Sequence, residues 1–229
     1  MSFFSRYKNF ILEIHNPNNF VFSSESLIFP VFNLGEWKLT PSSKQTKLNI
    51  LSENLLKFNE LKLKHTKPMG ILVSSTAEVQ LAANMADFLY IPGELCRQSD
   101  ILEACQTTSL PIFIEKGNFL APSDLMRVAE KLKATDFALI DCGTAFGYSD
   151  VVLDPRALYT LKSLSIPFGI NLSQLLTPEG TLYQHRPQWL QNPNFLDAFL
   201  ETGRCFGAQF YVVNNTTHVK YLSKNFNIN

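Results

Sequence analysis

The stretch DFALIDCGTAFGYSD, residues 136–150, sets the pattern from which the fold of this chain follows. A short apolar run reaches Asp141 and then breaks into a loop with two glycines, Gly143 and Gly147. A nearly continuous apolar run of this length is typical of a parallel strand that is buried on both faces. Loops with paired glycines often cradle phosphates, because backbone N–H groups can approach an anion closely there. A phosphate site usually also has a cation, and Cys142 stands at the place where one is expected.

The same alternation of apolar runs and amphipathic stretches recurs along the chain. The predicted strands are FILEI (10–14), LIFPVF (27–32), MGILVS (69–74), DFLYIP (87–92), LPIFIE (110–115), DFALID (136–141), IPFGIN (166–171) and AQFYVVN (208–214). The predicted helices are 46–63, 76–85 with Thr76 as its cap, 97–107, 122–133, 155–164 and 193–205. Strands and helices that alternate with short connections predict parallel βαβ units.

About eight strands is the number that a closed (β/α)8 TIM-type barrel uses. We therefore predict an α/β barrel that forms a single domain over residues 1–229, with an open doubly wound parallel sheet as the alternative. Residues 15–26 are too short for a crossover helix with its loops, and only a short tail follows the last strand. The barrel is therefore predicted to be incomplete at its N-terminal and C-terminal units. The long segment 172–192 follows a strand and is predicted to lie on the ligand-binding face.

Composition narrows the function classes. Hydrophobic residues make up 45% of the chain and charged residues 17%, which is typical of a soluble globular protein. A formal net charge of zero and the lack of a basic run argue against a nucleic-acid partner. No apolar segment approaches the roughly 18 residues of a membrane span, and the first residues lack the apolar core of a signal peptide. Four cysteines without a CxxC pair favour reduced thiols, so we expect a cytoplasmic protein with no membrane contact.

Polar side chains follow three of the predicted strands. Arg97 comes after the strand DFLYIP, Lys116 after LPIFIE, and Asp141 ends DFALID. The carboxyl ends of parallel strands converge on one face of an α/β fold, where ligands bind. Arginine and lysine there can hold a phosphate or a carboxylate group. We predict that Arg97, Lys116 and Asp141 bind substrate, as a weak site for such an anion; the alternative is that both cations are solvated or neutralised by neighbouring carboxylates.

Other kinds of site find no support in the sequence. The four histidines show no metal-binding spacing, so no metal site is predicted. No Walker or dinucleotide fingerprint is present, so no cofactor is expected. Cys142 has no base in view and is predicted to be an inert buried thiol.

Three segments carry a resemblance to a known family. PGELCRQSDILEA (92–104), IFIEKGNFLAPSDL (112–125) and IDCGTAFGYSDVVLDPRAL (140–158) resemble the segments PAFLxRQTDL, NVKKxQFxSPxxM and xxRGxxFGYxxLVxDMRxx of the 3-deoxy-D-manno-octulosonate 8-phosphate synthases. All three occur in the same order and spacing as in the family, within a match over about residues 69–170. The resemblance implies a (β/α)8 barrel, commonly a tetramer. It also implies condensation of phosphoenolpyruvate with arabinose 5-phosphate on the route to lipopolysaccharide, with a divalent metal in some members.

The family's functional residues carry over poorly. Arg97 and Lys116 match positions that contact substrate phosphate or carboxylate groups. Cys142 stands where the family has an arginine that grips phosphoenolpyruvate, and the early lysine- and arginine-rich motif is replaced around residues 30–43. At the later strand ends the replacements are Asn171 for an aspartate, Gln174 for a metal-binding histidine, Asn214 for a metal-binding glutamate and Thr216 for a histidine.

We therefore predict a divergent member of this family that has no catalytic residues in place and is catalytically inactive. Its predicted role is binding or interaction, as a homo-oligomer. The alternative is an active aldolase-type enzyme that condenses phosphoenolpyruvate with a sugar phosphate such as arabinose 5-phosphate. The retained Arg97, Lys116 and Asp141 favour that alternative.

Overall fold

Eight parallel strands close into a barrel in chain order. The computed structural model describes residues 2–15, 20, 23, 27–34, 44–132, 135–145, 150–176, 193–214 and 216–225. The strands are β1 (Phe10–His15), β2 (Ile28–Asn33), β3 (Gly70–Leu72), β4 (Phe88–Ile91), β5 (Ile112–Glu115), β6 (Phe137–Asp141), β7 (Phe168–Asn171) and β8 (Phe210–Val213). Pairing of β1 with β8 closes the ring. The predicted (β/α)8 barrel is confirmed, and the alternative of an open sheet is wrong.

Helices precede, connect and follow the strands. They are α1 (Phe3–Arg6), α2 (Lys44–Lys64), α3 (Thr76–Ala83), α4 (Ser99–Thr107), α5 (Leu125–Lys131), α6 (Pro155–Ser163), α7 (Leu172–Leu176), α8 (Pro193–Phe206) and α9 (Thr216–Asn225). Two 3-10 turns, Gly93–Leu95 and Pro122–Asp124, precede α4 and α5. None of the helices in the described residues combines the length and apolar character that crossing a bilayer requires.

The ends of the barrel differ from the prediction in detail. The C-terminal unit is more complete than predicted, because the ten-residue helix α9 follows β8. Most of the segment between β1 and β2 lies outside the described residues. The predicted loop over 172–192 begins as helix α7, and residues 177–192 lie outside the described residues. The N-cap of helix α3 is Ser75 and not the predicted Thr76, which is the first residue of the helix. The Oγ of Ser75 accepts a hydrogen bond from the N–H of Glu78 at 3.3 Å.

Side chains alternate between the inside of the barrel and the layer under the helices, as the two-residue period of a strand requires. On β5, Phe113 belongs to the inner cluster, whereas Ile112 and Ile114 belong to the outer one. Phenylalanine dominates the inner cluster, which contains Phe4, Phe10, Phe29, Phe88, Phe113 and Phe210 together with Tyr90 and smaller side chains. The barrel is therefore a packed core at this level and not a pore.

Helix α1 closes the N-terminal opening of the barrel. The ring centroids of Phe3 and Phe4 lie 5.7 Å and 5.0 Å from that of Phe113. The chain is tied down there because the Ser2 hydroxyl and the Phe3 N–H donate to the carboxylate of Asp136 at 2.6 Å and 2.7 Å. The opposite, C-terminal end of the strands is therefore the end at which a ligand can enter.

Candidate functional site

A buried carboxylate occupies the inside of the barrel at the C-terminal ends of the strands. Glu115, at the end of β5, accepts hydrogen bonds from the Tyr90 hydroxyl and, at 2.7 Å, from Nδ2 of Asn171. Its other oxygen accepts from the Gly93 N–H at 3.0 Å. Donors from β4, from the turn after β4 and from β7 thus converge on one acidic side chain. Such a buried network is stable because each polar group has a partner.

The ionisable groups in and beside this network, Glu115 and Cys142, carry either no charge or a negative charge. Burial raises the pKa of Glu115, although the hydrogen bonds from Tyr90, Asn171 and Gly93 oppose that shift. Burial also raises the pKa of the Cys142 thiol well above its usual value, and the nearby Glu115 carboxylate adds to the shift. A thiol with a raised pKa stays protonated near neutral pH and is a poor nucleophile. Cys142 therefore has the properties of an inert buried thiol.

Lys116 and Asp141 meet on the outer side of the same strand ends. Lys116 follows the inward-facing Glu115, and its buried ammonium group donates to the Gly143 carbonyl at 2.7 Å and to the Thr144 hydroxyl at 3.1 Å. Its Nζ lies 3.8 Å from Oδ2 of Asp141, and both side chains are fully buried. Asp141 also accepts from the Gly143 N–H at 2.8 Å. Burial raises the pKa of Asp141, and the positive charge of Lys116 opposes that shift.

This pair holds the loop that follows β6. Gly143 adopts a φ of +78°, a conformation that side-chain-bearing residues rarely take, and a Cβ there would lie 2.9 Å from a methyl group of Leu175. Thr144 then forms an isolated antiparallel bridge with Val152. Lys116 therefore contacts the glycine-containing loop that follows β6.

Arg97 lies in a different environment. Its exposed side chain lines a cleft outside the barrel together with residues of the turn before α4 and of α5. Lys116 and Asp141 do not line that cleft. The structure thus brings Lys116 and Asp141 together and places Arg97 apart from them, whereas the sequence predicted one shared site. The substrate-binding role of the three residues stays a prediction.

The strand ends at the expected metal positions form internal hydrogen bonds. The N–H of Gln174 donates to Oδ1 of Asn171 at 3.0 Å, and the N–H of Asn214 donates to the Ser173 hydroxyl at 2.8 Å. Within the described ranges, no three His, Cys, Asp or Glu side chains are grouped so that they can hold a metal ion. The amide of Asn171 contributes its nitrogen to Glu115 and its oxygen to the start of α7, so both ends of that amide are used.

Several curated proteins that are similar to this chain carry the name 2-dehydro-3-deoxyphosphooctonate aldolase. The chain is 34% identical over 135 residues to the 2-dehydro-3-deoxyphosphooctonate aldolase of Rickettsia canadensis, a match that covers 58% of this chain and 49% of that protein. It is 38% identical over 126 residues to that of Rickettsia bellii (54% and 46%). The chain is a divergent relative of these aldolases. A homologue from Arabidopsis thaliana, aldolase 1, is 30% identical over 138 residues (59% and 48%).

These matches confirm the resemblance, because the aldolase name is another name for the octulosonate-phosphate synthases. The chain spans about half the length of the curated relatives it matches. No protein-family model matches it.

Sequence reasoning missed the residues at the centre of the mouth of this aldolase-like barrel. In the family segment NVKKxQF, two adjacent lysines fall at the positions of Glu115 and Lys116. The structure turns Glu115 inward and Lys116 outward, so the lysine that this chain retains is the outward one. Tyr90 also faces inward, as the partner of Glu115. Because side chains alternate along a strand, an inward-facing Phe113 implies that Glu115 also faces inward.

Proposed function

We propose that this chain is a 3-deoxy-8-phosphooctulonate synthase-like barrel that does not carry out the condensation and acts in the cytoplasm as a binding or interaction protein. The observation that carries the proposal is the buried carboxylate of Glu115 at the mouth of the barrel, where it is held by Tyr90, Asn171 and Gly93. Condensing phosphoenolpyruvate with a sugar phosphate brings two phosphates and a carboxylate together. A site for that reaction needs preorganised cations or metal ions, and an acidic side chain at its centre supplies no positive charge whether it is ionised or protonated.

The other inward side chains at the ends of β4 to β7 do not supply the missing charge. They are Tyr90, Cys142 and Asn171, which are neutral at pH 7 because burial raises the pKa of the phenol and of the thiol and because an amide does not titrate. Desolvation of three anionic groups is costly without such compensation. Among the described residues, the retained cation nearest to these strand ends, Lys116, already donates to the loop after β6. The four cysteines are free thiols, which supports a reducing compartment.

A second copy of the chain is the interaction partner that we propose. Four large apolar side chains on adjoining elements are 43% to 67% exposed: Phe119, Met126, Val152 and Tyr159. The segments of Phe119 and Val152 are neighbours, since the Ala145 N–H donates to the Asn118 carbonyl at 3.0 Å and Val152 pairs with Thr144. Helix α6, which carries Tyr159, contacts the 3-10 turn that precedes α5, which carries Met126. Clustered exposed apolar side chains favour an interface, because burying them removes apolar surface from water.

Phosphoenolpyruvate consumption in the presence of arabinose 5-phosphate, with and without Mn²⁺, tests the proposal. We compare the wild-type protein with Arg97→Ala, Lys116→Ala and a mock purification from the same host. Arg97→Ala is the more informative variant because its exposed side chain can be removed without disturbing the core. We expect no turnover above the mock purification in any sample, with folding checked by circular dichroism.

The competing function is the parent condensation, which the retained Lys116 and Asp141 favour. It predicts wild-type turnover above the mock purification and its loss in a folded Arg97→Ala protein. That result refutes the proposal. Equal turnover in every sample, including the mock, identifies an enzyme of the expression host.

A further inference from the structure

A cationic cleft lies on the outside of the barrel, between the turn after β4 and helix α5. Its volume is about 210 Å³, and it is lined by Cys96, Arg97, Leu120, Asp124, Arg127, Val128 and Lys131. Three of these side chains are cationic and one is anionic. Pockets for drug-sized ligands are larger, about 300–1,000 Å³, so this cleft suits a small ion or the head group of a small metabolite.

The cations come from two separate parts of the chain that the fold brings together. Arg127 and Lys131 are four residues apart on α5 and therefore lie on one face of the helix. Arg97 follows the 3-10 turn after β4. Lys131 is fixed in place because its ammonium group donates to the Ser99 hydroxyl at 2.8 Å and reaches the Arg97 carbonyl at 3.4 Å. The third cation is thus held beside the other two.

The side chains of Arg97 and Arg127 have N–H donors that are available to a ligand. Across the described part of the chain, the guanidinium groups of Arg97 and Arg127 neither donate a hydrogen bond nor pair with a carboxylate. A guanidinium group presents five N–H donors in a planar fork that matches the oxygens of a phosphate group. Asp124 is the one carboxylate of the lining and forms no hydrogen bond that caps α5.

We propose that this cleft binds a small phosphate-bearing anion through Arg97, Arg127 and Lys131. Phosphate suits the cleft better than a monoanionic carboxylate, because three cations against one carboxylate leave an excess positive charge of about two. Asp124 lowers the affinity for a bare phosphate but can accept a hydrogen bond from a hydroxyl group on an organic phosphate. Binding is weak and sensitive to salt, because the side chains are exposed.

This site is distinct from the mouth of the barrel. Neither Glu115 nor the Lys116–Asp141 pair lines the cleft. The phosphate titration contains no phosphoenolpyruvate and measures no turnover, so its outcome is distinguishable from that of the condensation assay.

Titration with inorganic phosphate at constant ionic strength, followed by two-dimensional NMR of the ¹⁵N-labelled protein, tests the site. We expect saturable shifts with a millimolar dissociation constant, concentrated at the amides of residues 96–99 and 124–131. Arg127→Ala, an exposed position on α5, should weaken binding about tenfold. Asp124→Asn should tighten it about threefold, because a repelling charge is removed. In a parallel titration, glycerol 3-phosphate should bind to the wild type more tightly than inorganic phosphate does. The two ligands should bind to Asp124→Asn with similar affinity.

Arg6→Ala is the matched control. Arg6 is also an exposed arginine at a cleft, but that cleft lies at the N-terminal end of the barrel and contains Asp136. The variant removes the same charge and should leave phosphate binding unchanged. Equal weakening in Arg6→Ala and Arg127→Ala would mean that only net charge attracts phosphate, and it would overturn the proposal. So would shifts that are unchanged in Arg127→Ala or that map outside the cleft.

Discussion

The buried pair of Lys116 and Asp141 gives the sharpest test of how this chain uses its retained charges. Lys116→Met keeps the length and apolar stem of the side chain and removes the ammonium group. The Gly143 carbonyl and the Thr144 hydroxyl then lose their donor, and the Asp141 carboxylate keeps only the N–H of Gly143. Breaking a buried ion pair by removing one partner costs about 3–5 kcal/mol. That is a large part of a typical free energy of unfolding of about 5–15 kcal/mol.

Equilibrium urea unfolding, followed by circular dichroism, measures the loss. The matched control is Lys62→Met, because Lys62 also donates to a backbone carbonyl and pairs with Asp87 at 2.9 Å, but with side chains that are 31% and 39% exposed. An exposed pair contributes about 0–1 kcal/mol. The double variant Lys116→Met/Asp141→Asn removes both buried charges and should lose about 0.5–3 kcal/mol less than the sum of the single variants.

Two results contradict this reasoning. If Lys116→Met costs no more than Lys62→Met, the ammonium group does not hold the loop after β6. If the double variant loses the sum of the single losses, Lys116 and Asp141 are not coupled. The first result would leave Lys116 available for another role, such as its predicted contact with substrate.

Three further outcomes follow from the core, the mouth and the surface. Phe113→Ala removes a ring that contacts five other phenylalanines, and it should cost about 3–5 kcal/mol in urea unfolding, whereas Phe119→Ala, at an exposed position, should cost less than about 1 kcal/mol. Burial raises the pKa of Glu115 above its usual 4.5, so the folded state binds more protons than the unfolded state. The free energy of unfolding should therefore fall as pH rises from about 4.5 through the raised pKa. This pH dependence should be smaller in Glu115→Gln but not in Glu103→Gln, and equal slopes in the two variants would contradict it. Light scattering should give a dimer or larger assembly that Phe119→Ser weakens and Leu63→Ser, at an 89% exposed position on α2, does not; a monomeric wild type would refute the oligomer.

All eight strands could be predicted from the sequence, because each is a short apolar run between turns and because parallel strands are buried on both faces. The sequence gives only a weak signal for the helix after the last strand, since α9 is mostly polar. The cap of α3 was misplaced by one residue because Ser75 and Thr76 are both good capping residues. The cleft beside Arg97 could not be predicted, because Arg127 and Lys131 lie 30 and 34 residues further along the chain and only the packing of the barrel brings them near.

Burial on both faces makes the strands easy to identify in the sequence. It also removes the signal that would indicate which side chains face the mouth of the barrel. In a strand with one solvent-exposed face, alternating polar and apolar residues indicate which side chains point inward. Strand β5 is apolar on both faces, so its sequence gives no such indication. The sequence therefore offers Glu115 and Lys116 as adjacent charged residues without telling which one points inward. The closed barrel decides this through Phe113, and it places an acidic side chain, not a lysine, inside the mouth of the barrel. The retained lysine alone therefore does not show that a phosphate site is retained inside the mouth of the barrel.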